Sequence, residues 1–211
     1  MSQRSRPSGC CVSLLICAAS SLLALTSCAP MTAMPPPVPL GEKARAAGAA
    51  ASGGVYAYID RPSLTEPAGA VQGWLMSERE GNVQRGMLVF GGSPSFMGAG
   101  GFVRVDLDQR EDLYWGPQLA GGLSWISLGM PLSWRPRDST WLYTNPAVTL
   151  SLIHQLQVPV GASIELGERG MLNVEAGANL QLLRDQELFG LGFFDMWGQT
   201  AYVAVGGGLR F

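Results

Sequence analysis

Between Met171 and Leu183 the chain reads Met-Leu-Asn-Val-Glu-Ala-Gly-Ala-Asn-Leu-Gln-Leu-Leu. Leu172, Val174, Ala176, Ala178, Leu180 and Leu182 share one parity, and Asn173, Glu175, Gly177, Asn179 and Gln181 the other. Successive side chains of a β-strand point to opposite faces, so a period of two predicts a strand with one apolar and one polar face. A helix would scatter both sets around its circumference. A polar face that meets water is usually stocked with Lys and Glu. This one carries Asn, Gln, Gly and a single Glu, which suits the cramped interior of a barrel whose outer face meets lipid.

The rest of the composition follows the same logic. Of 211 residues, 47% are hydrophobic and only 14% charged, where soluble domains average about 25% charged. Beyond the N-terminal segment there is one lysine, Lys43, while a water-soluble surface needs a denser mix of both signs. The net charge of −2 excludes an electrostatic reader of nucleic acid, which needs a basic patch or stripe. Past the N-terminus no apolar run is long enough to cross a bilayer as a helix, so any membrane passage is made by strands. The 28 glycines are spread along the chain, as expected where strands bend, pack closely or turn tightly.

Residues 1–27 read as a secretory signal. Arg4 and Arg6 supply the positive start, and Cys10–Leu25 the apolar stretch, too short for a comfortable span. The stretch ends in Leu25-Thr26-Ser27-Cys28, which resembles the lipobox of bacterial lipoproteins. That resemblance implies cleavage before Cys28, diacylation of its sulfur and acylation of the new amine. Cys10, Cys11 and Cys17 fall inside the signal, so Cys28 is the one cysteine of the expected mature chain and no disulfide is available. In the enterobacterial pattern an Asp after the cysteine retains the protein at the inner membrane. Ala29 in that place implies sorting to the outer membrane by the lipoprotein-sorting machinery.

Residues 28–54 read as the acylated cysteine and a flexible tether. Pro35-Pro36-Pro37-Val38-Pro39 favours extended polyproline II, and Ala44–Gly54 is small-residue low complexity. Residues 55–211 read as the barrel domain. Val55–Ile59, Ala70–Met76, Gln84–Phe90, Ala99–Leu107, Tyr114–Leu123 and Ser124–Trp134 are strand candidates, with a bulge or edge expected at Pro131. Arg135–Asn145 reads as a polar loop ending in the Asn145-Pro146 turn signal. Ala147–Leu166 reads as two strands broken near Gln157-Val158-Pro159, and Gly167–Gly170 as a hairpin turn. Arg184–Thr200 is a long loop, and Ala201–Phe211 a last strand.

Phe211 is preceded at alternate positions by Leu209, Gly207, Val205 and Val203. This resembles the C-terminal signature of outer-membrane β-barrels, which the barrel-assembly machinery reads. Gly207 departs from the bulky residue often found there. The fold class expected is therefore all-β: a small antiparallel up-and-down transmembrane barrel of about eight strands, within a range of eight to ten, preceded by a lipidated flexible tether.

Little in the sequence supports catalysis. A nucleophilic triad, a Cys-His pair or a zinc site each needs His or Cys. Cys28 is assigned to lipid, and His154 shares parity with Leu150, Leu152 and Leu156, placing it near a barrel rim. Outer-membrane deacylases and acyltransferases set a His beside a Ser, but Leu156 stands two residues on. The acid pairs Asp106/Asp108, Glu111/Asp112 and Glu78/Glu80 read as solvated loop charges. No phosphate-binding or dinucleotide fingerprint is present, and no cofactor or metal is expected. Arg104, Asp106, Glu165, Glu175 and Arg210 lie on the polar parities of good strands. Facing lipid, an Arg at midplane would cost roughly 2–4 kcal/mol, so these charges are expected to pair inside the lumen. Phe189, Phe193, Phe194 and Trp197 crowd the long loop, an outer contact site for a partner or a cover on the barrel mouth.

These features predict a non-enzymatic outer-membrane lipoprotein, both lipid-anchored and integral. It would act as a structural anchor or accessory subunit of a cell-envelope assembly, with outer-membrane lipid and an envelope protein as partners. Two rivals stand beside it. One is a tethered periplasmic barrel with Leu and Val facing inward around an apolar ligand; the other is a narrow channel.

Overall fold

The computed structural model describes residues 32, 35–40, 43–59, 63–93, 96–110, 112–151, 154–182 and 198–211. Cys28 and the aromatic quartet Phe189, Phe193, Phe194 and Trp197 lie outside the described residues. The strands are Ala46–Tyr58 (β1), Thr65–Met76 (β2), Val83–Ser93 (β3), Phe96–Val105 (β4), Asp108–Gln109 (β5), Leu113–Trp115 (β6) and Gln118–Gly122 (β7). They continue with Ile126–Gly129 (β8), Leu132–Arg137 (β9), Thr140–Thr144 (β10), Ala147–Leu150 (β11), Gln155–Leu166 (β12), Gly170–Gln181 (β13) and Gly198–Arg210 (β14).

These fourteen segments make ten antiparallel staves, since β4/β5, β6/β7, β8/β9 and β10/β11 are each one stave with a short break. Three breaks fall at Gly116-Pro117, Pro131 and Asn145-Pro146, where proline has no N–H to give the ladder. Backbone bonds knit across them, Gly116 N–H to Pro131 O at 3.3 Å and Met130 N–H to Pro146 O at 3.0 Å. β12 pairs with β13 on one side and with both β10 and β11 on the other, which closes the ring. Paired residues followed from Ala46, the first residue of β1, through Met76, Phe102 and Thr149 lead to Gln181, the last of β13. That climb along the barrel in one circuit is the stagger that tilted strands need in order to close.

The all-β barrel expectation stands, with ten strands at the upper end of the range rather than eight. Four sequence boundaries are corrected. β1 begins at Ala46, so the Ala/Gly-rich residues to Gly54 are strand and not tether. Arg135–Asn145 is no loop: β9 runs to Arg137 and β10 starts at Thr140. The break in Ala147–Leu166 lies between Leu150 and Gln155, and Pro159 sits within β12. Pro159 is tolerated because its strand partner is Gly177 and Thr144 Oγ1 donates to its carbonyl at 2.6 Å. Lastly, Pro35–Leu40 is not a free tether. It runs extended inside the barrel, with Pro36, Pro37, Val38 and Leu40 fully buried.

The wall is inverted relative to a soluble protein. Met87 at 66% exposure, Val160 at 64% and Val203 at 57% stand on the outer face, with Leu172, Val174 and Leu180 of β13. Asn173, Glu175, Asn179 and Gln181 of the same strand are buried within. Inward aromatics lie flat against the wall because glycines on neighbouring strands make space. The ring of Trp74 occupies the positions where side chains on Gly48 and Gly208 would project, and Tyr202 covers Gly177 in the same way. Rings held against the wall leave the axis of the barrel to the N-terminal segment.

Candidate functional site

The lumen is the one enclosed space these elements define, and its polar side chains come from alternate residues of nearly every stave. The five charges singled out in the sequence all face inward, but they form three groups rather than one.

At the Phe211 end, β4 directs Arg104 inward and Asp106 follows it just past the strand, each only 2% exposed. Arg104 Nε and Nη2 both donate to Gln118 Oε1, at 3.1 and 2.8 Å. Tyr114 OH donates to Asp106 Oδ2 at 2.6 Å, and Arg79 Nη2 lies 3.5 Å from the same oxygen. The Arg79 guanidinium also sits 5.0 Å from the Tyr114 ring centre. Burial without a partner would make each charge costly, so the pairing is what allows them inside.

Further round the barrel at the same end, Arg210 Nη2 donates to Glu165 Oε1 at 2.9 Å, and Trp141 Nε1 approaches that oxygen at 3.3 Å. Arg135 completes the group, 3.9 Å from Glu165 Oε2 and 5.4 Å from the Trp141 ring centre. Deeper in, Glu175 is fully buried on β13 and accepts from Tyr202 OH at 2.8 Å and Tyr143 OH at 3.2 Å. Phe211 and Leu209 face outward at the end of the last stave.

The N-terminal segment passes between the first two groups. Val38 packs with Tyr114 and Trp141, one from each. Ser133 Oγ donates to the Pro37 carbonyl, a group that an extended, proline-rich chain leaves without an internal partner. Leu40 joins the apolar cluster of Trp74, Met76 and their neighbours, and Thr32 Oγ1 donates to Gln72 Oε1 at 3.0 Å, well inside β2. The segment therefore enters at the Phe211 end, where Arg45 exchanges backbone hydrogen bonds with Phe211, and points up the lumen.

Sequence reasoning missed Arg79, Arg135, Tyr114, Tyr143 and Tyr202. Tyr143 and Trp141 were legible as alternation within Thr140–Thr144, masked by the polar residues before them. Tyr202 shares parity with the buried Thr200 and Ala204. Arg79 sits beyond the end of β2, where no strand parity applies. His154 directly precedes β12, its carbonyl accepting from Leu182 N–H at 2.8 Å. Among the described residues no cluster of His, Cys, Asp and Glu is arranged to hold a metal ion.

No family model matches the chain, and no curated protein matches it. Among solved structures, a de novo designed transmembrane β-barrel is similar at 10% identity, covering 82% of this chain and all of that one, with a TM-score of 0.40. Neisserial surface protein A is similar at 11% identity, covering 80% of this chain and 99% of its own, with a TM-score of 0.40. Ail, the attachment invasion locus protein of Yersinia pestis, is similar at 11% identity over 81% of this chain and all of its own, with a TM-score of 0.38. Nothing about function follows from likeness at that level.

Proposed function

We propose that this chain is an integral outer-membrane β-barrel, lipid-anchored through Cys28, that serves as a structural anchor or accessory subunit of a cell-envelope assembly. The observation that carries the reading is the inverted wall, with Leu, Val and Met side chains out and hydrogen-bonded charges in. Trp115, Trp134 and Phe211 stand exposed at one end of that apolar band, where aromatic residues mark a membrane–water boundary. A tethered barrel holding an apolar ligand would need the Leu and Val face inside, whereas here that face is outside and the interior, part apolar and part charged, holds the chain's own segment. Anchoring asks only for a stable wall and a surface to offer. The stretch carrying Phe189, Phe193, Phe194 and Trp197 is the contact surface proposed for an envelope protein partner.

The test is extraction and gel mobility. A closed barrel in lipid should stay with membranes through carbonate washing, even as a Cys28→Ala protein on an ordinary cleavable signal, and should migrate differently before and after boiling. Release of that variant into the soluble periplasm would overturn the integral reading.

A further inference from the structure

The lumen is occupied, but by something removable. Nothing covalent holds Thr32 and Pro35–Leu40 in place beyond the chain itself. Their described polar contacts are the hydrogen bond of Thr32 to Gln72 and that of Ser133 to the Pro37 carbonyl. The apolar contacts are Val38 against Tyr114 and Trp141, and Leu40 among its neighbours. A polyproline II segment has no internal hydrogen bonds to lose or regain on leaving.

Part of the wall around it carries polar groups that the protein leaves unpartnered. Asn173 is fully buried, yet neither its Oδ1 nor its Nδ2 has a hydrogen-bond partner among the described residues. Ser163, its strand partner, leaves Oγ without one, as does Asp106 with Oδ1. Stranded in a dry core, such groups would each be costly. In a polar cavity with room for ordered water they cost far less. Ten staves also enclose more than eight, whose interior side chains just fill. A bore that accepts an extended polypeptide beside its wall accepts hydrated ions once that polypeptide leaves.

We propose that the lumen is a passage for ions and small hydrophilic solutes, closed by the chain's own Thr32 and Pro35–Leu40 as a built-in plug. The paired charges line the passage instead of sealing it. Arg104 is held by Gln118, Asp106 by Tyr114, and Glu165 by Trp141 and Arg210, and Val38 of the segment packs between Tyr114 and Trp141.

The test folds the barrel first and opens it afterwards. A protease site inserted between Gly41 and Glu42 is cut in the purified, heat-shift-positive protein, and the freed segment is washed away. Conductance of potassium chloride across planar bilayers is then recorded. Wild type and uncut protein should be silent, and the cut protein should give discrete conductance steps. A second arm uses protein lacking residues 30–40, refolded and checked by its gel shift, which should conduct without cutting. Linking Thr32→Cys to Gln72→Cys with a short bis-maleimide before cutting should abolish the steps. Folded protein that has lost the segment and passes no current would overturn the proposal, because its side chains would then close the lumen unaided. Equal conductance before and after cutting would overturn the plug. Either failure leaves the membrane-barrel reading intact, since that rests on extraction and gel mobility.

Discussion

Tyr202 on β14 donates its hydroxyl hydrogen to Glu175 Oε1 on the neighbouring β13 at 2.8 Å, and Tyr143 reaches the other carboxylate oxygen at 3.2 Å from across β12. Three staves separated in sequence thus meet at one fully buried carboxylate. Removing one donor leaves charge short of compensation. Tyr202→Phe should destabilise the barrel by about 1–3 kcal/mol, and Tyr143→Phe by less, its bond being longer. Urea titration of the folded gel band measures both. Replacing all three with Phe, Phe and Leu should cost less than the sum of the single losses, because the buried charge leaves together with the two hydroxyls that serve it.

The glycines make an equally direct forecast. A side chain on Gly48 would meet the Trp74 ring and the Gly207 carbonyl, so Gly48→Val should cost on the order of 1–3 kcal/mol through overpacking. Gly53, five residues along the same strand, has open space around it. Gly53→Ala should be neutral or should stabilise by about 0.4–1 kcal/mol through the unfolded chain. Similar losses at both sites in the same urea titration would refute the idea that rings resting on glycine hold the wall together.

The strands most legible in the sequence are those with hydropathy contrast between faces. Leu172, Val174 and Leu180 against Asn173, Glu175 and Asn179 gave β13 its sides and its neighbour β12 its hairpin. β1 carries no such contrast. Ala46–Gly54 is small on both faces, and its glycine at position 48 answers to Trp74, a residue on another strand. The same long-range dependence hid the plug. Pro35–Leu40 has the composition of a free linker, and only a closed ring of known stagger shows that an extended chain fits inside it. Parity identified Arg104, Asp106, Glu165, Glu175 and Arg210 as inward residues. It could not say that they divide into three groups, since partners such as Arg79 and Tyr143 are chosen by register between staves.

Acylation at Cys28 has its own check. Cells fed a labelled fatty-acid analogue should yield a tagged wild-type protein and an untagged Cys28→Ala variant, the motif Leu25-Thr26-Ser27-Cys28 being the reason. Equal tagging of the two would remove the lipoprotein claim while leaving the barrel untouched.

Whether lipid covers the outer face can be read from a single stave. Val205 lies outward in the middle of β14, opposite Val174 and Ala51, whereas Leu209 lies outward at its end beside Phe211. In a bilayer, arginine on the lipid face costs roughly 2–4 kcal/mol at the midplane and about 0–1 kcal/mol near the interface, where its guanidinium reaches the headgroups. Val205→Arg should therefore shift the urea midpoint in vesicles strongly, and Leu209→Arg hardly at all. If water bathed the outer face, both would be ordinary surface substitutions within about 0.5 kcal/mol of wild type. The contrast between the two positions controls for the substitution itself, since residue type, strand and direction are the same. Small and equal shifts at 205 and 209 would place the apolar wall outside the membrane, and the anchor reading would fail with it.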